Sequence, residues 1–89
     1  MPHTTQIVQR LYTDGRCDET PCWMTLAEMQ AFVGGYIELV KTRTPHRLLV
    51  INEEGMLDDL PYNAVATALT HPDVYMLDGI RGPALLIKG

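Results

Sequence analysis

The chain has 89 residues, a net charge of −4, 46% apolar and 20% charged residues, which allows one domain, residues 1–89, with one modest core. That balance excludes a disordered tail, and the longest aliphatic runs, Leu48 to Ile51 and Ala84 to Ile87, fall far short of the about 20 residues a membrane span needs. An acidic chain also argues against long nucleic acid, which calls for a basic face. Met1 to Thr5 lacks a basic stretch followed by an apolar one, so a cytoplasmic location is expected. So small a core gains from burying surface against a copy of itself, and a homo-oligomer is expected.

Gln6 to Thr13 alternates as a strand with mixed faces. Asp14-Gly15 is a tight-turn dipeptide. Residues 16–23 return as a short, irregular partner that Pro21 pushes to a sheet edge. Thr25 and Glu28 have the spacing of a capping box, with Met24 and Met29 in the flanking staple positions. The helix Leu26 to Val33 presents Leu26, Met29 and Val33 on one face, and Gly34 stands where a helix end favours a left-handed residue. Tyr36 to Thr42 and Arg47 to Glu53 form an antiparallel pair around the loop 43–46, closed by a turn at Gly55. Asn63 is the expected N-cap of a second helix, Ala64 to Leu69, which Pro72 stops. Val74 to Leu77 and Ala84 to Ile87 are the last strand candidates. The expected fold class is α+β: a mostly antiparallel sheet with two short helices, in the order ββαββαββ.

Val33-Gly34-Gly35-Tyr36-Ile37-Glu38, then Asn52-Glu53-Glu54-Gly55, then Leu60-Pro61 with Asn63, then Gly82 and Ala84, together resemble the domain of unknown function 3846 family over roughly residues 25 to 89. These are small proteins of phages, plasmids and bacteria. The resemblance implies a phage or mobile-element origin and no established reaction. Residues 14–23, with their cysteines and Pro21, and the turn Arg81-Gly82-Pro83 depart from the family pattern.

No catalytic constellation stands out. Glu53 and Glu54 are adjacent, so on a strand they point to opposite faces. Gly34-Gly35 follows its helix, the wrong order for a phosphate loop. Cys17 and Cys22 form a single loose pair, with His3, His46 and His71 dispersed, which reads as free thiols and not as a zinc site. No catalytic residue, metal or cofactor is therefore expected.

Binding is the remaining chemistry. Trp23, Tyr36, Tyr62 and Tyr75 offer stacking faces, Asn52 and Asn63 paired donors and acceptors, and Arg43, Arg47 and Arg81 bidentate partners for phosphate. Lys41, Arg43 and Arg47 lie close together, either flanking a small anion or forming a solvated hairpin tip. The expected ligand-binding residues are Tyr36, Asn52, Tyr62, Asn63 and Arg81, converging where the second helix starts. The expected function is capture of a small nucleotide-like ligand, a sponge for a nucleotide-derived immune signal. The alternative is a protein-interaction module that inhibits a host protein.

Overall fold

The computed structural model describes residues 4–55, 59–74 and 79–89. Its elements in chain order are β1 (Thr4–Leu11), β2 (Cys17–Asp18), β3 (Cys22–Thr25), α1 (Leu26–Val33), β4 (Ile37–Lys41), β5 (Arg47–Asn52), α2 (Ala64–Leu69) and β6 (Ala84–Lys88). The strands form one sheet in the order β2-β1-β6-β5-β4, with β3 beside β2 along the same edge of β1. All the pairings are antiparallel, so the α+β class read from the sequence holds.

The element order differs in detail from the expected one. The return strand over 16–23 is split into β2 and β3, because the Asp18 carboxylate accepts the Thr20 backbone N–H (2.9 Å) and turns the chain between them. The strand expected over 74–77 lies, beyond Val74, outside the described residues.

The two middle strands are buried on both faces, which is why they read as near-continuous aliphatic runs. Leu48, Val50, Leu85 and Ile87 pack with Met29 and Val33 of α1. Leu49, Ile51 and Ala84 pack with Val40 and with Ala66 of α2. The helices therefore cover opposite faces of the sheet. Ile7 joins the first cluster and Leu11 the second, although four residues along a regular strand would keep them on one face. A bulge between Ile7 and Gln9 shifts the pairing with β6 by one residue, and the extra residue reverses the alternation. That is the cause of the mixed faces seen in the sequence.

Helix α1 begins as its sequence dictates: Thr25 accepts the Glu28 N–H at 3.2 Å, while Glu28 reaches back to the Thr25 N–H at 3.0 Å. It buries Met29 and Val33, with Phe32 against the same cluster. Leu26, expected on that face, lies in the first turn and is half exposed (52%). At the other end Gly34 has φ +88° and donates to the Gln30 carbonyl, a backbone region that side chains with a branched Cβ strongly resist.

Two predictions follow from this frame. Gly34→Val should lower stability by at least about 1 kcal/mol, read as a reduced urea midpoint; an unchanged midpoint would remove the glycine's role as helix stop. The second concerns Asp18, whose carboxyl the Arg10 guanidinium holds at about 2, below the ordinary 3.8. A depressed carboxyl adds stability that is complete above its unfolded value and drains away as pH falls through its folded value. The melting temperature of the parent should therefore exceed that of Asp18→Asn above about pH 4 and lose that margin by about pH 2. A margin independent of pH would show that the ion pair is not its source.

Candidate ligand-binding groove

One end of the sheet is tied together by Asn63, whose side chain is fully buried. Its Nδ2 donates to the carbonyls of Leu11 (3.2 Å) and Gly82 (3.0 Å), and its Oδ1 accepts the Ala66 N–H (3.0 Å). Its backbone N–H donates to Ile80. Tyr62 and Arg81 flank it as an antiparallel bridge. The Arg81 Nη1 donates to the Leu60 carbonyl (3.2 Å), and its buried Nε has no partner among the described residues. Three of the expected site residues thus meet, but the Asn63 amide is spent within the fold.

The other two lie at the adjoining end of the β4–β5 pair. Asn52 is buried and donates from Nδ2 to the Val33 carbonyl (3.1 Å). Its Oδ1 accepts the Glu54 N–H at 2.7 Å. It thereby caps the end of α1 and shapes the turn at Gly55. A Cβ on Gly35 would come within 3.2 Å of the Asn52 Nδ2, so the second glycine makes room for that amide. Tyr36 is 72% exposed, and its carbonyl accepts the Glu53 N–H.

A different set of side chains lines an open groove beside the β4–β5 loop. One hollow, of about 430 Å³, is lined by Lys41, Arg43, His46, Arg47 and His71 together with small and apolar neighbours. A second, of about 490 Å³, shares Arg43 and His71 and continues to Tyr62, Thr67 and Thr70. Among the described residues, neither lining contains a carboxylate. Of the five expected site residues, Tyr62 alone lines these hollows, and its ring is half exposed.

Local structure explains why these groups gather. The Thr42 hydroxyl donates toward the Thr44 and Arg47 carbonyls (both 2.9 Å) and accepts the Thr44 N–H (3.1 Å), which folds the loop back on itself. His46 adopts φ +62° within that loop, a left-handed conformation that His tolerates better than most residues. The segment after α2 then adds to the outer side of β4. Arg43 donates its N–H to the Leu69 carbonyl, and His71 donates its N–H to the Lys41 carbonyl. The Arg43 Nε reaches the Ala68 carbonyl at 3.3 Å, complementing the negative end of the helix; its other guanidinium donors have no partner among the described residues. The His71 Nδ1 accepts the Asp73 N–H at 3.0 Å, which fixes the orientation of the ring.

Charge is segregated here. Arg10 and Arg16 are each paired with a carboxylate, Asp18 and Asp14. Lys41, Arg43 and Arg47 have none within salt-bridge distance among the described residues. Proximity of that trio was visible in the sequence. The share of His71, Thr67 and Thr70 was not, because it depends on the α2 exit lying beside β4. Cys17 and Cys22 are free and sit opposite Leu11 and Ile7 of β1, four residues apart along the strand.

Residues 6–89 match the family described as domain of unknown function DUF3846. The match includes residues 14–23, so the segment that departs from the recognised motifs falls within the family's span. No curated protein and no solved structure matches the chain. No helix among the described residues is long and apolar enough to cross a membrane.

Asn63→Ala removes a helix cap and the donor to the Leu11 and Gly82 carbonyls, and should cost at least about 2 kcal/mol. A urea midpoint equal to that of the parent would show that Asn63 is not the structural tie described.

Proposed function

Since that match spans nearly the whole chain, the protein belongs to the DUF3846 family, and we propose that it is a non-catalytic binding protein for a small, anionic, base-containing ligand. One observation carries this reading: a chain of net charge −4 places Lys41, Arg43 and Arg47 around a groove in whose lining, among the described residues, there is no carboxylate. Such a concentration of cations, none of them paired with a carboxylate among the described residues, favours phosphate through charge-assisted hydrogen bonds. Tyr62, at the far end of the connected hollow, supplies a face for a base. We further propose that the ligand is a nucleotide-derived signal of host defence, which a phage or mobile-element protein in the host cytoplasm would hold out of circulation.

A second reading has its own support. Trp23, Leu26, Tyr36 and Leu39 are large apolar side chains left exposed, and β4 is the last strand of the sheet on its side. Because the Glu53 N–H bonds to the Tyr36 carbonyl, the alternation of an antiparallel ladder turns the backbone groups of Ile37 and Leu39 outward. A host protein, or a second copy in a homo-oligomer, would add a short strand there. The free stretch is brief, since the Lys41 carbonyl already accepts from His71.

The readings separate in a thermal-shift screen against mono- and dinucleotides, run beside pull-down from host lysate. A ligand that binds the folded state raises the melting temperature, and Lys41→Ala should weaken that ligand's binding by roughly 1.5–3 kcal/mol without changing the melting temperature of the free protein. If no nucleotide shifts the transition at saturating concentration while a host protein is retained, the interaction reading replaces the ligand one.

A further inference from the structure

Helix α2 covers only part of its face of the sheet. On the uncovered part the strand registers set four side chains in a line. Trp23 of β3 lies opposite Gln6 of β1, and Arg47 of β5 lies opposite Lys88 of β6. The pairing of Ile7 with Ile87 makes Gln6 and Lys88 neighbours across the β1–β6 junction. Cross-strand partners share a face, and Arg47 shares the face of Leu49 and Ile51, the one that packs on α2. The row Trp23–Gln6–Lys88–Arg47 therefore crosses the open half of that face. With strands about 4.8 Å apart, it is about 14 Å long between its end Cα atoms.

This row is continuous with the basic groove. A third hollow, of about 350 Å³, is lined by Gln6, Gln9, Lys88 and Arg47, with Glu19 at its side. Arg47 also lines the first hollow, which joins the second through Arg43 and His71. Tyr62 lines the second hollow, and Trp23, 63% exposed, ends the side-chain row beyond the third hollow, where it lies opposite Gln6. Between them lie Lys41, Arg43, Arg47 and Lys88, four of the seven Lys and Arg residues of the chain. The Glu19 carboxylate accepts from the Gln9 amide at 2.8 Å and is, among the described residues, the one acidic group in the three linings.

A cationic path with an aromatic face at either end matches a ligand that has a phosphodiester backbone between two unpaired bases. We infer that the groove takes a short single strand of nucleotides, with one base on Trp23 and another toward Tyr62. A mononucleotide engages only part of the track. This inference rests on the nucleotide reading of the same groove and specifies its ligand.

Trp23 is the only tryptophan in the chain, so its fluorescence reports on the far end of the track directly. The test titrates the full chain with tetrathymidylate, thymidine monophosphate and inorganic phosphate, following Trp23 emission and, in parallel, displacement of a labelled tetrathymidylate. Tetrathymidylate should quench the emission and bind at least about tenfold more tightly than the monophosphate. Trp23→Ala, at an exposed position that leaves the core intact, should cost about 10- to 100-fold in tetrathymidylate affinity, the range of one stacked base, and Trp23→Phe should restore most of it. Lys88→Gln should reduce the steepness of the salt dependence by somewhat under one unit, as loss of one phosphate contact does for single strands. If the monophosphate binds as tightly as tetrathymidylate and neither alters Trp23 emission, the extended track is wrong and the simpler nucleotide site stands. If neither thymidylate binds better than inorganic phosphate, both are overturned.

Discussion

A single buried amide holds the described parts of this domain in register. Asn63 joins the end of β1, the approach to β6 and the first turn of α2 through one side chain. All three of its partners are backbone groups, and burying such groups unpaired is costly. Because α2 is only six residues long, its position depends on this tie more than on its own helical propensity. The exit of α2 in turn positions Thr70 and His71 against the end of β4. The groove beside the β4–β5 loop thus inherits its shape from an amide at the opposite end of the helix.

The sheet explains where ligand surface is available. Its middle strands are buried over most of their length, with α1 over one face and α2 over part of the other. With so few residues the second helix cannot cover the whole of its face, and the remainder carries Trp23, Gln6, Lys88 and Arg47 in place of aliphatic side chains. Polar and basic residues at positions that alternate with a buried set are compatible with a solvated face. Their alignment with the β4–β5 loop cations turns that solvated face into a continuous cationic path.

Local features were legible in the sequence because their causes are local. The capping box at Thr25 and Glu28, the left-handed Gly34 and the Asn63 cap each depend on residues a few positions apart, and each is realised. The antiparallel class followed from short connections and alternation. The bulge after Ile7 was legible only as ambiguity, since the pattern shows that both faces are mixed but not where the phase reverses. Asn52 and Asn63 look like ligand groups in a sequence, yet their amides are consumed by carbonyls up to 52 residues away. The Trp23–Arg47 row could not be read beforehand at all, because it requires β6, the last element in the chain, to lie between β1 and β5.

Residue-resolved amide NMR during titration with a nucleoside monophosphate tests the central claim most directly, because it locates binding without assuming any residue's role. The account predicts that the largest shifts fall on Lys41 to Arg47, on Thr70 and His71, and on Tyr62. Shifts concentrated instead on Tyr36, Leu39 and the exposed start of α1, or no shifts at saturation, would contradict it.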